Sequence, residues 1–469
     1  MEVSVISTEN IKPAWSAGSE HEFKPYKLSL LDQLMFSTHS PIILFYPMKD
    51  GNDQKSIARR LKSSLSKTLN RYYPIAGRVK DNLIIHDFER GVPFTEARVK
   101  GHRLSDLLSS PHGGPRLEFL NNMLPFEPFC YHEDATEFAQ LDVQLNTFDC
   151  GGIAIGLNMH HKLMDGATAS AFFHTWAANC NGSSTPSAWL ERQPELCKSS
   201  SVFHPRESIA LEYHSFMKDM YFQDVHRRRQ KGVSRRFVFD NEAIATLRTM
   251  ARSSRVVDPT RLEALSAFIW ESALKAVSAA GRPPQQLQCF SQAVNLRPLM
   301  SSRLSRYSIG NLVTNTMTSC KNGNKPMKEL VGLIREGVER IDEKYVDNFY
   351  NSDEDRYMAK LERHKAVGGI SGGGCGGQVL TCSSWIGFGS NNFDFGWGKP
   401  VRSGLFGDPS GNHPCINNCI VFKEVAPRGR GNSKAIEAWI RLDEDVMAFL
   451  EHDPHFFQYA SPNPPIILN

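Results

Sequence analysis

The chain has 469 residues, which at roughly 100–200 residues per domain is enough for two or three domains. Its 41% hydrophobic and 22% charged residues are ordinary for a globular protein and exclude intrinsic disorder, collagen-like repeats and small disulfide scaffolds. Lys and Arg number 54 against 50 Asp and Glu, and the net charge of +4 is too small to indicate nucleic acid or an anionic membrane as the main partner.

The cysteine pattern and the N-terminal residues indicate in which cellular compartment the protein is expected. The ten cysteines form no C-x-x-C pair and no zinc-finger spacing, so we expect reduced thiols and no metal site. Residues 1–12 are polar and lack the apolar core of a signal peptide. Every apolar run is shorter than the ~18 residues that a membrane span needs. We therefore predict a cytoplasmic protein without a membrane partner.

The first half predicts helices and strands in alternation. Apolar residues recur every three or four positions over 57–72, which predicts an amphipathic helix that ends before Pro74. Over 153–159 they recur at every second position, which predicts a strand. A short loop then leads into a predicted helix over 167–178.

The second half continues the alternation after a segment with few periodic signals. Thr260 and Glu263 fit a capping box at the start of a helix. A strand is predicted over 288–296 and one long helix over 327–345. The whole pattern predicts an α/β or α+β fold in two domains.

The first candidate for chemistry is the heptapeptide H-H-K-L-M-D-G, in which His161 and Asp165 are four residues apart. A histidine at the end of a strand can serve as a general base, because an imidazole with a pKa near ~6.5 is largely unprotonated at neutral pH. A nearby aspartate can fix its orientation. From this motif alone, a structural histidine and an aspartate that caps a helix remain alternatives.

Two glycine-containing segments are weaker candidates. The segment D-F-G-W-G comprises Asp394, Phe395, Gly396, Trp397 and Gly398 and predicts a tight turn, which alone favours architecture over chemistry. The glycine-rich run over 368–377 lacks a phosphate-loop pattern and predicts a surface loop.

The combination of motifs is more specific than its parts. H-x-x-x-D precedes D-F-G-W-G by more than two hundred residues, and together they resemble the plant BAHD acyl-CoA-dependent acyltransferases. Further matching segments are L-S-L-L-D at 28–32, Y-Y-P-I-A-G-R at 72–78, F-D-C-G-G at 148–152, N-L-R at 295–297 and I-G-N at 309–311. The H-H-x-x-x-D-G pattern also matches condensation domains of peptide synthetases, but the D-F-G-W-G and Y-Y-P-I-A-G-R segments favour the BAHD family.

The resemblance implies a fold. BAHD enzymes consist of two chloramphenicol-acetyltransferase-like α/β domains with a solvent channel between them. Carried over, an N-terminal domain with H-x-x-x-D comprises 1–195 and a C-terminal domain with D-F-G-W-G comprises 236–469. A crossover connection over 196–235 joins them.

The resemblance also implies roles for individual residues. His161, and not His160, is the expected general base, and no covalent acyl-enzyme is expected. Asp165 is expected to be an orienting, structural residue that pairs with Arg297. Trp385 is a candidate oxyanion donor, with a core tryptophan as the alternative. Residues 394–398 are expected to be structural or to shape the CoA side of the channel.

The F-D-C-G-G segment and F-Y-P at 45–47 look like the subgroup that acetylates alkaloids and related alcohols, which includes vinorine synthase and salutaridinol acetyltransferase. We therefore expect acetyl-CoA as co-substrate, no bound cofactor, and a small-molecule alcohol or amine as acceptor. We also expect a monomer. Two alternatives remain: a non-catalytic BAHD-like partner protein and a condensation-type enzyme that uses carrier-bound thioesters.

Overall fold

The structure is a computed structural model that describes residues 2–14, 23–48, 53–108, 117–129, 136–182, 188–208, 231–282, 286–320, 325–351, 379–405, 407, 418–425 and 435–464. The glycine-rich run over 368–377 and residues 209–230 of the predicted crossover lie outside the described residues.

The described strands are β1 (Glu2–Ile11), β2 (Tyr26–Lys27), β3 (His39–Tyr46), β4 (Arg78–Lys80), β5 (Ile84–His86), β6 (Val92–Lys100), β7 (Leu141–Phe148), β8 (Ile153–His160), β9 (Gly232–Phe239), β10 (Cys289–Asn295), β11 (Val313–Asn315), β12 (Thr318–Ser319), β13 (Val379–Ser384), β14 (Arg402–Gly404), β15 (Cys419–Glu424), β16 (Ile436–Asp443) and β17 (Ser461–Pro462).

The described α-helices are α1 (Leu30–Gln33), α2 (Gln54–Leu69), α3 (Leu104–Leu108), α4 (Gly166–Asn181), α5 (Ala188–Glu191), α6 (Lys198–Val202), α7 (Asn241–Met250), α8 (Arg261–Ala279), α9 (Leu296–Leu299), α10 (Met327–Glu339), α11 (Glu343–Tyr350), α12 (Glu444–Leu450) and α13 (Pro454–Phe457). Single turns of 3-10 helix occupy Tyr73–Ala76, Phe88–Arg90, Leu117–Phe119, Asn121–Met123 and Ser390–Asn392.

The first large sheet has the strand order β1-β6-β7-β8-β3-β14. Its pairs are antiparallel except β6 with β7. Every residue of β7 and β8 is buried, as expected for central strands that are covered on both faces. Helices α2 and α4 contribute their apolar faces to the same core. A small separate sheet has the order β2-β5-β4.

The second large sheet has the order β11-β10-β13-β15-β16-β9-β17, with β12 also beside β10. Strands β10, β13 and β15 run parallel, and the pairs β15–β16 and β16–β9 are antiparallel. Helix α8 is buried along most of its length and packs against α7, α10 and α12. This sheet and its helices form a second core.

A segment of the second half belongs spatially to the first half. Strand β14 is antiparallel to β3, with Arg402 opposite Phe45. Just before it, the buried Phe393 and Phe395 lie in the core of the first sheet. A third core, which contains Phe45 of β3 and Trp439 of β16, lies where the two halves meet. The halves are therefore joined by strand pairing and by a shared core.

The local predictions are largely confirmed. The helix predicted over 57–72 is α2, the strand predicted over 153–159 is β8, and Thr260 forms a complete capping box with Glu263. The helix predicted over 327–345 is two helices, α10 and α11. Asp342 leaves the helical conformation and caps α11 by accepting from the amide of Tyr345.

The described cysteines correct one expectation. Six of them are free thiols: Cys150, Cys180, Cys197, Cys320, Cys382 and Cys419. Cys289 is disulfide-bonded, contrary to the expectation that all thiols are reduced. In the part of the chain that the structure describes, every helix is too short or too polar to cross a membrane.

Candidate active site

A cavity of about 310 Å³ lies between the two halves of the molecule. Its first-half lining includes Met35, Phe36, Met159, His161 and Met164, and its second-half lining includes Asn295, Trp385, Phe388, Leu405 and Val421. The wall is mostly apolar, and His161 is the described histidine that lines it. A site formed by both halves agrees with the expectation of a channel between two domains.

Strand pairing fixes the backbone at His161. Strand β8 pairs with β3 along eight residues and ends at His160, opposite His39. The next amide, that of His161, donates to the carbonyl of Thr38 at 2.8 Å. The histidine therefore leaves a central strand in a fixed direction and is partly exposed to the cavity.

Asn311 determines which nitrogen of His161 carries the proton. The Asn311 Nδ2 group donates to the carbonyl of His161 at 2.7 Å and to Oδ1 of Asp32 at 3.0 Å. Its Oδ1 therefore faces Nδ1 of His161, at 3.1 Å, and can only accept. The Nδ1 atom must then be the protonated one, which leaves Nε2 with a free lone pair, as a general base requires.

Asp32 holds Asn311 in this orientation. The backbone amide of Asn311 donates to Asp32 Oδ1 at 2.7 Å, and the amide and hydroxyl of Ser29 donate to Oδ2 at 2.8 and 2.7 Å. Ser29 and Asp32 also form the capping box of α1. Burial raises the pKa of Asp32, while these donors act in the opposite direction by stabilising the carboxylate.

The surroundings favour a neutral imidazole at His161. Burial is the largest cause and lowers the pKa of His161, because a charged imidazolium loses solvation there. The Asp165 carboxylate and the Asn311 hydrogen bond oppose this shift. The net direction is downward, so the side chain is ready to accept a proton at neutral pH.

The neighbouring His160 lies in the core of the first sheet. Its Nε2 is 3.2 Å from the hydroxyl of Ser37, and its Nδ1 is 3.2 Å from Oε1 of Gln140. Its ring stacks on that of His39 with centroids 4.6 Å apart. It is fully buried and does not line the cavity, so the two adjacent histidines have different environments and only His161 faces the cavity.

Asp165 and Arg297 form a buried bidentate ion pair. Arg297 Nη1 donates to Asp165 Oδ2 at 2.7 Å and Nη2 donates to Oδ1 at 3.2 Å, and the two side chains are 4% and 2% exposed. The backbone amides of Thr168 and Leu312 also donate to this carboxylate, at 2.8 and 3.1 Å. These four donors leave no acceptor position for His161. The structure thus brings together the two residues that the resemblance paired.

Arg297 connects Asp165 to the second half. Its guanidinium also donates to the carbonyls of Ser308 and Gly310, at 2.9 to 3.0 Å. The segment that leads to Asn311 is therefore attached to the N-terminus of α4. An ion pair between the halves holds the turn that carries His161.

Trp385 lies in the cavity wall, and its backbone amide donates to the carbonyl of Phe422 at 2.8 Å. The nearby ring of Phe388 packs so closely on Gly166 that a Cβ there would be 2.1 Å from the ring carbon Cε2. The Ser170 hydroxyl donates to the carbonyl of Phe388 at 2.6 Å. This segment of the second half is therefore attached to the first turns of α4.

The D-F-G-W-G segment lies at the other end of α4. Asp394 Oδ1 accepts from the amides of Gly396 and Gly398 at 2.8 and 2.9 Å, and both glycines have a positive φ. A Cβ on Gly396 would be 2.5 Å from Arg60 Nη2. Helix α4 has 16 residues, so its ends are about 24 Å apart at 1.5 Å per residue. The segment is a tight turn far from His161.

The sequence analysis missed the roles of Asp32 and Asn311. Both stand in segments that matched the family, but neither has a periodic or spacing signal that would place it beside His161. Their function arises only when residues 279 positions apart meet in space. Among the described residues, no three His, Cys, Asp or Glu side chains converge into a metal site.

The sequence comparisons agree with this fold and site. The family model described as the Transferase family matches residues 1–457. Akuammiline synthase 2 from Alstonia scholaris is 32% identical over 474 residues, covering 100% of this chain and 99% of the relative. A limonoid 21-O-acetyltransferase from Melia azedarach is 32% identical over 471 residues, covering 100% of both chains.

Solved structures agree as well. A crystal structure of vinorine synthase superposes with a TM-score of 0.76 at 28% identity, covering 98% of this chain and 99% of that one. TRI101 from F. graminearum, in complex with coenzyme A and deoxynivalenol, shares the fold with a TM-score of 0.66 at 19% identity, covering 94% and 100%.

The two-half α/β fold and these similarities define an acyltransferase. The chain belongs to the Transferase family, whose plant members are the BAHD acyltransferases. It is therefore an acyl-CoA-dependent O-acyltransferase of the BAHD type.

Proposed function

We propose that this enzyme transfers an acetyl group from acetyl-CoA to a hydroxyl of a bulky, mostly apolar specialised metabolite, with His161 as the general base. The single observation that carries the proposal is the hydrogen bond from His161 Nδ1 to Asn311 Oδ1 in a cavity between the two halves. The relatives named above support the acetyl group, since one is named as a limonoid acetyltransferase.

The chemistry follows from the free Nε2 lone pair. Nε2 takes the proton of the acceptor hydroxyl as its oxygen attacks the thioester carbonyl, and a tetrahedral oxyanion forms. The carbon–sulfur bond then breaks and coenzyme A leaves as a thiolate, which takes the proton from His161 Nε2. A thiolate whose conjugate acid has a pKa near ~8.5 is a better leaving group than an alkoxide, so the intermediate collapses toward coenzyme A release. The acceptor oxygen attacks the thioester directly, so no covalent acyl-enzyme forms.

Three further residues have proposed roles. Asp165 is a structural residue that holds the His161 turn through Arg297, because its carboxylate oxygens already accept from four other donors. Trp385 is proposed as an oxyanion donor through its indole N–H, which its position in the cavity wall supports. Residues 394–398 are proposed to be architectural.

The cavity favours a mostly apolar acceptor. Three methionines and three phenylalanines contribute to a wall with few charged groups, and about 310 Å³ is at the lower end of the range for small-molecule sites. Methionine side chains adapt to irregular shapes, so the cavity suits a rigid polycyclic alcohol. An alcohol is proposed over an amine, and a cytoplasmic monomer is proposed as the working form.

The test is a coupled assay with acetyl-CoA. The enzyme is mixed with acetyl-CoA and a pool of polycyclic plant alcohols, and thiol release and a 42 Da mass gain of the product are followed, as expected when acetyl replaces hydrogen. His161→Ala should lose roughly 10²- to 10⁴-fold in rate, the usual contribution of a general base. The exposed His102→Ala is the matched control and should keep full activity.

The outcomes separate the alternatives. Coenzyme A should stabilise both the unmutated protein and His161→Ala against heat, since binding to the folded state raises its stability. Stabilisation without turnover across a broad acceptor pool would favour a non-catalytic partner protein. Turnover with a carrier-bound acetyl thioester but not with acetyl-CoA would favour a condensation-type enzyme.

A further inference from the structure

Lys162, which directly follows His161, is a buried cation that the transfer chemistry leaves without a role. The residue is 3% exposed. Its ammonium donates to the backbone carbonyl of Gln33 at 3.0 Å and to Oδ1 of Asn82 at 2.8 Å. Lysine is rarely buried, because desolvation of its charge is costly, so a buried lysine beside a catalytic base needs an explanation.

The site that receives Lys162 is formed by Gln33 and Asn82, whose amide side chains each donate to the backbone carbonyl of the other residue. Asn82 Nδ2 donates to the carbonyl of Gln33 at 3.2 Å, and Gln33 Nε2 donates to the carbonyl of Asn82 at 3.1 Å. Asn82 has a left-handed backbone with a φ of 52°, which asparagine tolerates better than most residues. The acceptors for the ammonium are therefore fixed in place by hydrogen bonds that do not involve Lys162.

The short helix α1 thus holds His161 from two directions. Asp32 orients Asn311, and Asn311 binds the imidazole and the carbonyl of His161. The next residue of α1, Gln33, accepts the ammonium of Lys162. Two series of hydrogen bonds therefore begin at adjacent residues of α1 and end at His161 and Lys162, which are also adjacent.

We propose that Lys162 is a positioning residue for the acyl transfer, which anchors the His161 loop on α1 and whose positive charge favours the unprotonated imidazole. The inference rests on the proposed role of His161 as the base. It assigns a function to a position within the H-x-x-x-D motif other than its histidine and its aspartate.

The electrostatics agree with this geometry. Burial lowers the pKa of Lys162 to about 7, and the nearby Asp32 carboxylate opposes that shift. Lys162 is therefore charged over the more acidic range in which a buried imidazole titrates. Burial is the main cause that lowers the pKa of His161, and the Lys162 charge acts in the same direction. The other charged groups at this loop are Asp32, which lies near Lys162, and Asp165, which pairs with Arg297 and acts to raise the pKa of His161.

The experiment compares Lys162→Met, which keeps the length and removes the charge, with Lys162→Arg, which keeps the charge. The His161 titration is followed by NMR on protein with ¹³C-labelled histidine, and His161→Gln assigns its signal. Lys162→Met should raise the midpoint by about half a pH unit and shift the acidic limb of kcat upward equally. Its kcat should fall about tenfold, because the base is less well oriented.

Lys162→Arg should keep the low midpoint and lose less of kcat. The partly exposed Lys275→Met, on helix α8, is the matched control and should change neither quantity. A purely structural role would lower stability and kcat in Lys162→Met but leave the His161 midpoint where it is, and that result would overturn the proposal. If Lys162→Met does not fold, Lys162→Gln is subject to the same criterion.

The NMR titration needs no turnover, so it separates this inference from the proposed function. An unmutated enzyme with no acetyl transfer would contradict the proposed function, even if the His161 midpoint responds to Lys162. An active enzyme whose His161 midpoint ignores Lys162 would contradict only the present inference.

Discussion

Two aspartates, one from each of the two motifs that characterise this chain, lie at opposite ends of helix α4 and have different surroundings. Asp165, at the N-terminus, is buried and accepts from Arg297 and from two backbone amides. Asp394, near the C-terminus, accepts from two amides of its own exposed turn. The end whose aspartate side chain accepts across the two halves lines the cavity, and the end whose aspartate side chain accepts from its own turn does not.

This difference shows what makes a motif functional in this molecule. Both segments identify the family equally well, but only the first places a side chain with a free lone pair in the cavity. The second closes a turn against α2 and α4, where Arg60 also donates to the carbonyl of Phe395 at 3.1 Å. The comparison predicts that equivalent substitutions at the two ends will have unequal effects.

Among the substitutions that test this comparison, the largest effect is expected from Asp165→Asn. The substitution leaves the guanidinium of Arg297 buried with its charge uncompensated, which should cost about 3 kcal/mol in the free energy of unfolding. The turn that carries His161 loosens, so kcat should fall about 100-fold. Denaturant unfolding and steady-state kinetics measure the two losses. Complete loss of turnover with unaltered stability would instead assign Asp165 a direct part in the chemistry.

A smaller effect is expected from Asn311→Ala. The imidazole loses the acceptor that holds its proton on Nδ1, so the tautomer with a protonated Nε2 becomes populated and kcat should fall roughly tenfold or more. The KM for acetyl-CoA should change little. The exposed Asn241→Ala, at the start of α7, is the control and should leave kcat unchanged. Unchanged kcat in Asn311→Ala would exclude the tautomer assignment.

Gly166→Ala tests whether the cavity end of α4 depends on close packing. The added Cβ would lie 2.1 Å from the Phe388 ring, so the ring must move within the cavity wall, at a cost of about 1–3 kcal/mol. The acceptor KM should rise severalfold. Gly332→Ala, in helix α10, is the matched control, because its Cβ would contact only the flexible side chain of Arg255 at 3.3 Å. Equal kinetics in both variants would show that the Phe388 position does not matter.

The sequence predicted the local structure better than the long-range structure. Periodicity predicted α2 and β8, and a capping box predicted the start of α8, because these features depend on neighbours along the chain. The break between α10 and α11 was missed, because the apolar spacing continues across it while Asp342 caps the second helix. The pairing of β14 with β3 joins residues from opposite halves and has no local signal.

The residues of the site also fall into those that the sequence identified and those that it did not. The family resemblance identified His161, Asp165 and Arg297, and it implied that Asp165 and Arg297 form a pair. Neither motif nor periodicity indicated that Asn311 and Asp32 set the tautomer of His161, because their contacts depend on how α1 and the second half pack around the loop. Within the motif, the burial of Lys162 could not be predicted, since a lysine in a loop is usually exposed.

The smallest effect is expected from Asp394→Asn, the same chemical change at the far end of α4. The Asn Oδ1 can still accept from the amides of Gly396 and Gly398, so only the charge assistance of these hydrogen bonds is lost. The free energy of unfolding should fall by about 0.5–1.5 kcal/mol, with kcat and the His161 titration unchanged. Denaturant unfolding beside Asp165→Asn measures the contrast directly. A kcat loss as large as that of Asp165→Asn would mean that the far end of α4 controls the chemistry, and the distinction between its two ends would fail.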